Sequence, residues 1–91
     1  MNQRRSNIEI ISEMLRIGAD GAGKTEIMYS ANMSYKQLQK YLKFMLRQGL
    51  VDKVEIGNPV VTYKLTEKGH GLLKSIDLVL EVLRFRDPED N

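Results

Sequence analysis

Residues 34–49 read SYKQLQKYLKFMLRQG. Ser34 and Gln37 have capping-box spacing, in which a serine hydroxyl accepts from the third helical N–H while the glutamine side chain reaches back to the cap. Gly49 is suited to the left-handed residue that closes a helix. The stretch therefore predicts a helix entered at Ser34 and ended at Gly49. On a wheel of 100° per residue with Lys36 at zero, Lys40, Lys43 and Arg47 fall at about 40°, −20° and 20°. Leu38, Leu42 and Met45 fall near 200°, 240° and 180° by the same geometry, flanked by Tyr35, Tyr41 and Leu46. The helix thus has one cationic stripe and, opposite it, one apolar face. No acidic residue occurs between Met33 and Gln48.

A charged helix face is most often simply solvated. Solvated faces usually mix signs to gain i,i+4 pairs, whereas Lys36, Lys40, Lys43 and Arg47 stand at i, i+4, i+7 and i+11 and repel one another. A polyanion would relieve that repulsion. A helix of this kind fits the DNA major groove, with cations on phosphates or guanine edges and Gln37 or Gln39 placed to read adenine. Backbone N–H groups at its Ser34 end could also meet a phosphate.

On the N-terminal side, Ser6 and Glu9 form a second capping box, and Ile8, Ile11, Met14 and Leu15 give an amphipathic helix that stops at Gly18. Thr25 is the expected N-cap of a short helix, EIMYSA, with Asn32 in the left-handed position after it. This helix, the turn Ala31–Ser34 and the basic helix form a helix-turn-helix. On the C-terminal side, VDKVEI and VVTYKL are β-branched runs joined by Gly57-Asn58-Pro59, a hairpin that would stand beside the basic helix as a wing. Thr66 then caps a final helix through EKGHGLLKSIDLVLEVLRFR, ended by Asp87-Pro88. The expected fold is α+β: three helices, a hairpin and a C-terminal helix.

The loop GADGAGKT, Gly18–Thr25, matches G-x-x-x-x-G-K-[ST], the phosphate-cradling loop of nucleotide hydrolases. That chemistry needs a strand entering the loop and a second strand whose carboxylate holds magnesium, and here a helix enters and only the hairpin strands follow. The loop reads as a turn, with Lys24 a surface charge and no nucleotide bound. The 91 residues suffice for one core, too few for several strand–helix–strand crossovers of roughly 30 residues each. The chain has no cysteine and a single histidine, His70, which argues against thiolate or imidazole metal sites, and no cofactor is expected. No run approaches a signal peptide or the ~18 apolar residues of a membrane span, so a cytoplasmic, nucleoid-associated protein is expected, and the sequon at Asn32 reads as chance. Residues 1–48 carry eight Lys/Arg against four Asp/Glu, while residues 49–91 carry six against eight, so the polyanion-facing half is the first.

TEIMYSANMSYKQLQKYLKFMLRQGLV, followed by YKLTEKGHGLL, resembles the winged helix-turn-helix proteins of archaea, including small chromatin-associated ones that dimerise through a C-terminal helix. Its most specific pieces are Met33-Ser34-Tyr35, Tyr41-Leu42 and Tyr63 to Gly69. The resemblance implies a recognition helix contacting double-stranded DNA through Ser34, Tyr35, Lys36, Gln39, Lys40 and Lys43, with a wing contact from Lys53 or Lys64. The wing tip departs from the pattern in lacking a cation.

Met14, Met28, Met33 and Met45 read as flexible core filler. His70 is expected to be exposed at a helix start, and Gly69 and Gly71 suggest close backbone packing. In the last helix, Leu72, Ile76, Val79 and Leu83 follow 4-3-4 spacing, beside Leu73, Leu80 and Phe85, more apolar surface than one small core requires. A homodimer through that stripe is expected, the alternative being that the helix simply lies in a groove of its own domain. The organisation is a basic N-terminus (1–5), a DNA-binding domain (6–66), a dimerisation helix (67–86) and an acidic tail (87–91). A module that meets RNA or an acidic protein is the other class such a basic helix could serve.

Overall fold

The computed structural model describes residues 5–55 and 61–85, with side chains described as far as residue 83 in the last helix. Residues 1–4 of the basic N-terminus, the wing tip Gly57-Asn58-Pro59 and the acidic tail lie outside the described residues. The elements are α1 (Asn7–Ile17), α2 (Lys24–Ser30), α3 (Tyr35–Arg47), β1 (Val51–Glu55), β2 (Val61–Leu65) and α4 (Glu67–Phe85), in the order expected from the sequence.

Local chemistry sets most boundaries. Ser6 and Glu9 close a capping box on α1, as do Ser34 and Gln37 on α3. Helix α2 ends with Asn32 at φ 55°, with Asn32 N–H donating to Tyr29 O and Met33 N–H to Met28 O. Helix α3 ends the same way at Gly49, φ 73°, with Gly49 N–H on Leu46 O and Leu50 N–H on Met45 O. Both are Schellman closures, each placing an apolar residue, Met33 or Leu50, directly into the core. Because Ser34 caps α3 two residues after Asn32, the turn between α2 and α3 is short. Thr66 caps α4: its Oγ1 accepts from Gly69 N–H at 3.0 Å and donates to Gly49 O at 2.6 Å.

One start differs from expectation. The N-cap of α2 is Gly23, not Thr25, and no side chain caps it. The cause is long-range. Ala22 pairs with Tyr63 of β2 through two bonds, Ala22 N–H to Tyr63 O at 3.0 Å and Tyr63 N–H to Ala22 O at 2.7 Å. This holds the chain extended through Gly23, so the helix turns at Lys24. The hairpin itself is antiparallel, with Val51 opposite Leu65, Lys53 opposite Tyr63 and Asp52 opposite Lys64.

Helix α1 packs on α4, and α2 on α3. Met14, Leu15, Leu38 and Met45 are the largest fully buried side chains, with Ile27, Leu42, Leu50, Val51, Tyr63 and Leu65 around them. Each such side chain contributes about 1.5–3 kcal/mol through burial. Met33 is also buried and Met28 is partly buried against the same cluster, so all four methionines serve the core. Arg16 pairs with Asp77 at 2.6 Å between α1 and α4, both ends exposed, an interaction worth at most about 1 kcal/mol. Arg5 pairs with Glu13 and also donates to Asn32 O at 3.2 Å, tying the chain ahead of α1 to the turn before α3.

The two α4 glycines separate. A Cβ on Gly69 would lie 2.1 Å from Leu50 O, so α4 crosses the end of α3 there with no room for a side chain. A Cβ on Gly71 would meet nothing within 4 Å, and the packing expected of that glycine is not found. His70, between them, is exposed. Gly69→Ala is therefore expected to destabilise by on the order of 1–3 kcal/mol through overpacking. Gly71→Ala should stabilise by about 0.5–1 kcal/mol through helix propensity. Urea unfolding of both variants checks the pair.

Candidate nucleic-acid interface

The rotation of α3 about its own axis is fixed by what it buries. Leu38, Leu42 and Met45 are 1–3% exposed, and Tyr41 joins them, its hydroxyl donating to Asn7 Oδ1 of α1 at 2.6 Å. The opposite face is left to solvent. Lys36, Lys40, Lys43 and Arg47 are all exposed there, as are Ser34, Gln37 and Gln39. Lys40 Nζ lies 5.7 Å from the Tyr41 ring centroid, and among the described residues it makes no ion pair. Tyr35 and Leu46, read as flanks of the apolar face, are instead exposed, with Tyr35 at 58%.

The two glutamines have different duties. Gln37 Oε1 accepts from Ser34 N–H at 3.3 Å, and Gln37 N–H donates to Ser34 Oγ at 3.1 Å. Both side chains are thus engaged in starting the helix. Gln39 makes no such bond among the described residues, so its amide is the one on this face at liberty to meet a base edge.

The hairpin register sorts the two wing lysines. Residues directly opposite in an antiparallel pair share a face. Lys53 therefore shares the face of Tyr63, which with Val51 and Leu65 is the face turned to the core. Lys64 shares the outer face with Asp52. Between α3 and the hairpin runs a depression of about 340 Å³ lined by Lys24, Gln39, Lys40, Leu42, Lys43, Leu46 and Tyr63. A second, of about 260 Å³, is lined by Lys24, Lys53, Val61 and Tyr63. Gln39, Lys40 and Lys43 thus border the first and Lys53 the second, with Lys24 and Tyr63 lining both, while Lys36, Arg47 and Lys64 lie outside either lining. Sequence reasoning missed Lys24 in this group. It faces the groove because Ala22 is bonded to Tyr63, and no local signal announces that pairing.

That pairing engages one amide of the glycine loop, and local carbonyls engage three more. The N–H groups of Gly18, Ala19, Gly21 and Ala22 donate to Met14, Arg16, Gly18 and Tyr63 carbonyls at 3.0–3.3 Å. These four are bonded within the protein, whereas the first turn of α2, from Gly23, has no side-chain cap.

The 4-3-4 stripe of α4 divides in two. Leu72 and Ile76 are partly buried against the core of their own chain, with Leu73. Val79 and Leu83 are 50% and 61% exposed, and Leu78 and Val82 beside them are 62% and 49% exposed. No helix among the described residues is long and apolar enough to cross a membrane.

A family model described as winged helix-turn-helix matches residues 4–84. An uncharacterised protein of Methanocaldococcus jannaschii is 33% identical over 84 residues, which cover 91% of this chain and 81% of that relative. Among solved structures, the fold is similar to that of Sso10a-2, a DNA-binding protein from Sulfolobus solfataricus, with a TM-score of 0.78 and 28% identity over 88% of this chain and 83% of that one. It is also similar in fold to Lactococcus lactis ZitR in complex with DNA, with a TM-score of 0.66 and 18% identity over 88% of this chain and 56% of ZitR.

Proposed function

The chain belongs to the winged helix-turn-helix family, and from that premise we propose that it binds double-stranded DNA as a homodimeric regulator of transcription or nucleoid protein, without catalysis. The observation that carries the reading is the one-signed solvent face of α3: Lys36, Lys40, Lys43 and Arg47 exposed, with no acidic residue in the helix. A helix of about 10–12 Å diameter enters a major groove about 12 Å wide. Lys36, Lys40, Lys43 and Arg47 then meet phosphates or guanine edges, Gln39 reads a base, and Ser34 and Tyr35 sit where the helix enters. Lys53 supplies the wing contact in preference to Lys64, since it lines the depression that adjoins the one bordered by Lys40 and Lys43, with Lys24 and Tyr63 common to both. The similarity to a solved DNA-binding protein supports this reading. The deep, narrow major groove of an RNA duplex would not admit such a helix.

Assembly follows from α4. Leu78, Val79, Val82 and Leu83 form an exposed apolar run that a second copy would cover, with Leu72 and Ile76 bridging it to the core. Two recognition helices on one dimer bind DNA together, and the link raises the effective concentration of the second binding event.

Lys40→Ala and Lys43→Ala are each expected to lower the dependence of log affinity on log salt by about 0.9 for every phosphate left without its cation, with no change in unfolding midpoint. Anisotropy titrations of random and enriched duplexes over a salt series measure this and separate sequence-specific from nucleoid-type binding. Unchanged affinity and slope in both variants would refute the assignment of α3. Val79→Glu is expected to give a monomer by sedimentation and to weaken DNA binding by roughly 10²–10⁴-fold while the domain stays folded. A monomeric wild type, or a dimeric variant of full affinity, contradicts the assembly. Ile76→Glu is the less clean variant, because Ile76 also packs on its own core.

A further inference from the structure

We propose that Lys24 binds the DNA backbone: with Lys53 it forms a clamp under the wing that holds the phosphates of one strand while α3 occupies the major groove. The proposal rests on the DNA-binding reading and extends it to a residue outside the recognition helix and the wing.

Three observations carry it. First, Lys24 and Lys53, 29 positions apart in sequence, line the same depression of about 260 Å³, and Lys24 also lines the adjoining one with Lys40 and Lys43. Neither lysine makes an ion pair among the described residues. Second, the chemistry of the groove suits a sugar–phosphate chain. Between Lys24 and Lys53 its apolar lining is Val61 and Tyr63, continuing to Leu42 and Leu46 beside Lys40 and Lys43, apolar surface for deoxyribose with a cationic rim. Third, the clamp is rigid at its base. Ala22 lies two residues before Lys24 and is bonded to Tyr63 in both directions, and Tyr63 is the cross-strand partner of Lys53. Leu65 N–H also donates to Gly18 O at 3.2 Å, fixing the other end of the loop to β2. One residue, Tyr63, therefore sets the backbone separation of the two cations. The glycine loop is then a bracket between wing and α2, bonded to β2 at Gly18 and Ala22 and presenting its lysine to the groove.

A cation on a phosphate positions the duplex without reading sequence. Lys24→Ala should therefore weaken random and enriched duplexes by the same factor. Removing one cation from one phosphate lowers the salt slope by about 0.9, so between 50 and 200 mM salt the affinity of the variant should fall about threefold less than that of wild type. The double variant with Lys53→Ala should lower the slope by about twice as much, and Lys24→Arg should restore it. Lys74→Ala, an exposed cation on α4, serves as the control for bulk charge and should leave the slope unchanged. Unfolding midpoints of all variants should match wild type. If Lys24→Ala keeps the wild-type slope while Lys40→Ala lowers it, the clamp is wrong and the recognition helix stands. An equal fall in slope in Lys74→Ala makes the effect one of net charge and overturns the clamp, and a changed ratio between random and enriched duplexes makes Lys24 a base reader and overturns the backbone role. A wild type with no salt-dependent duplex affinity removes the DNA-binding reading itself.

Discussion

The burial of Leu38, Leu42 and Met45 decides how α3 can be used. A helix that hides one face in a close-packed core cannot rotate without exposing those side chains, at about 1.5–3 kcal/mol each. Their placement compels Lys36, Lys40, Lys43 and Arg47 outward, and the Tyr41–Asn7 bond adds a directional lock against α1. The cationic face is thus a consequence of the core. It is aimed by the Ser34 cap at one end and the Gly49 closure at the other. The closures after α2 and α3 each also deliver an apolar anchor, Met33 or Leu50, to the interior.

A second constraint holds the rest of the surface in place around that helix. The two-way bond between Ala22 and Tyr63 makes the glycine loop an extra rung on the hairpin. It accounts at once for the start of α2 at Lys24 and for the meeting of Lys24 with Lys53. A sequence resembling a nucleotide loop has here become a mechanical link between a helix-turn-helix and its wing. The same residues that would cradle a phosphate in another context are used to place a single lysine.

What could be read from the sequence was local. The S-x-x-E and S-x-x-Q boxes, Asn32 in the left-handed region, the Gly49 stop and the Thr66 cap each depend on residues within a turn or two, and each is where the sequence puts it. The wheel positions of Leu38, Leu42 and Met45 against the lysines follow from period alone. The misses are non-local. Thr25 is a good cap by residue type, yet the bond between Ala22 and a strand residue 41 positions away moves the helix start to Lys24. Gly69 and Gly71 look alike in sequence, and only the crossing of α4 over Leu50 distinguishes them. Similarly, the 4-3-4 pattern of α4 cannot tell that Leu72 and Ile76 serve their own core while Val79 and Leu83 face outward. Lys53 and Lys64 are separable only once the register assigns them to opposite faces.

The central claim is that the solvent face of α3, framed by the wing groove, is where DNA sits. Amide and side-chain shift mapping of the isotopically labelled protein during titration with a duplex examines it residue by residue. The expected perturbations are concentrated on Ser34, Lys36, Gln39, Lys40, Lys43 and Arg47, continuing to Lys24 and Lys53, with Lys64 and the buried Leu38 side chain little affected. Perturbations centred on the exposed face of α4, with α3 unmoved at saturation, would contradict it.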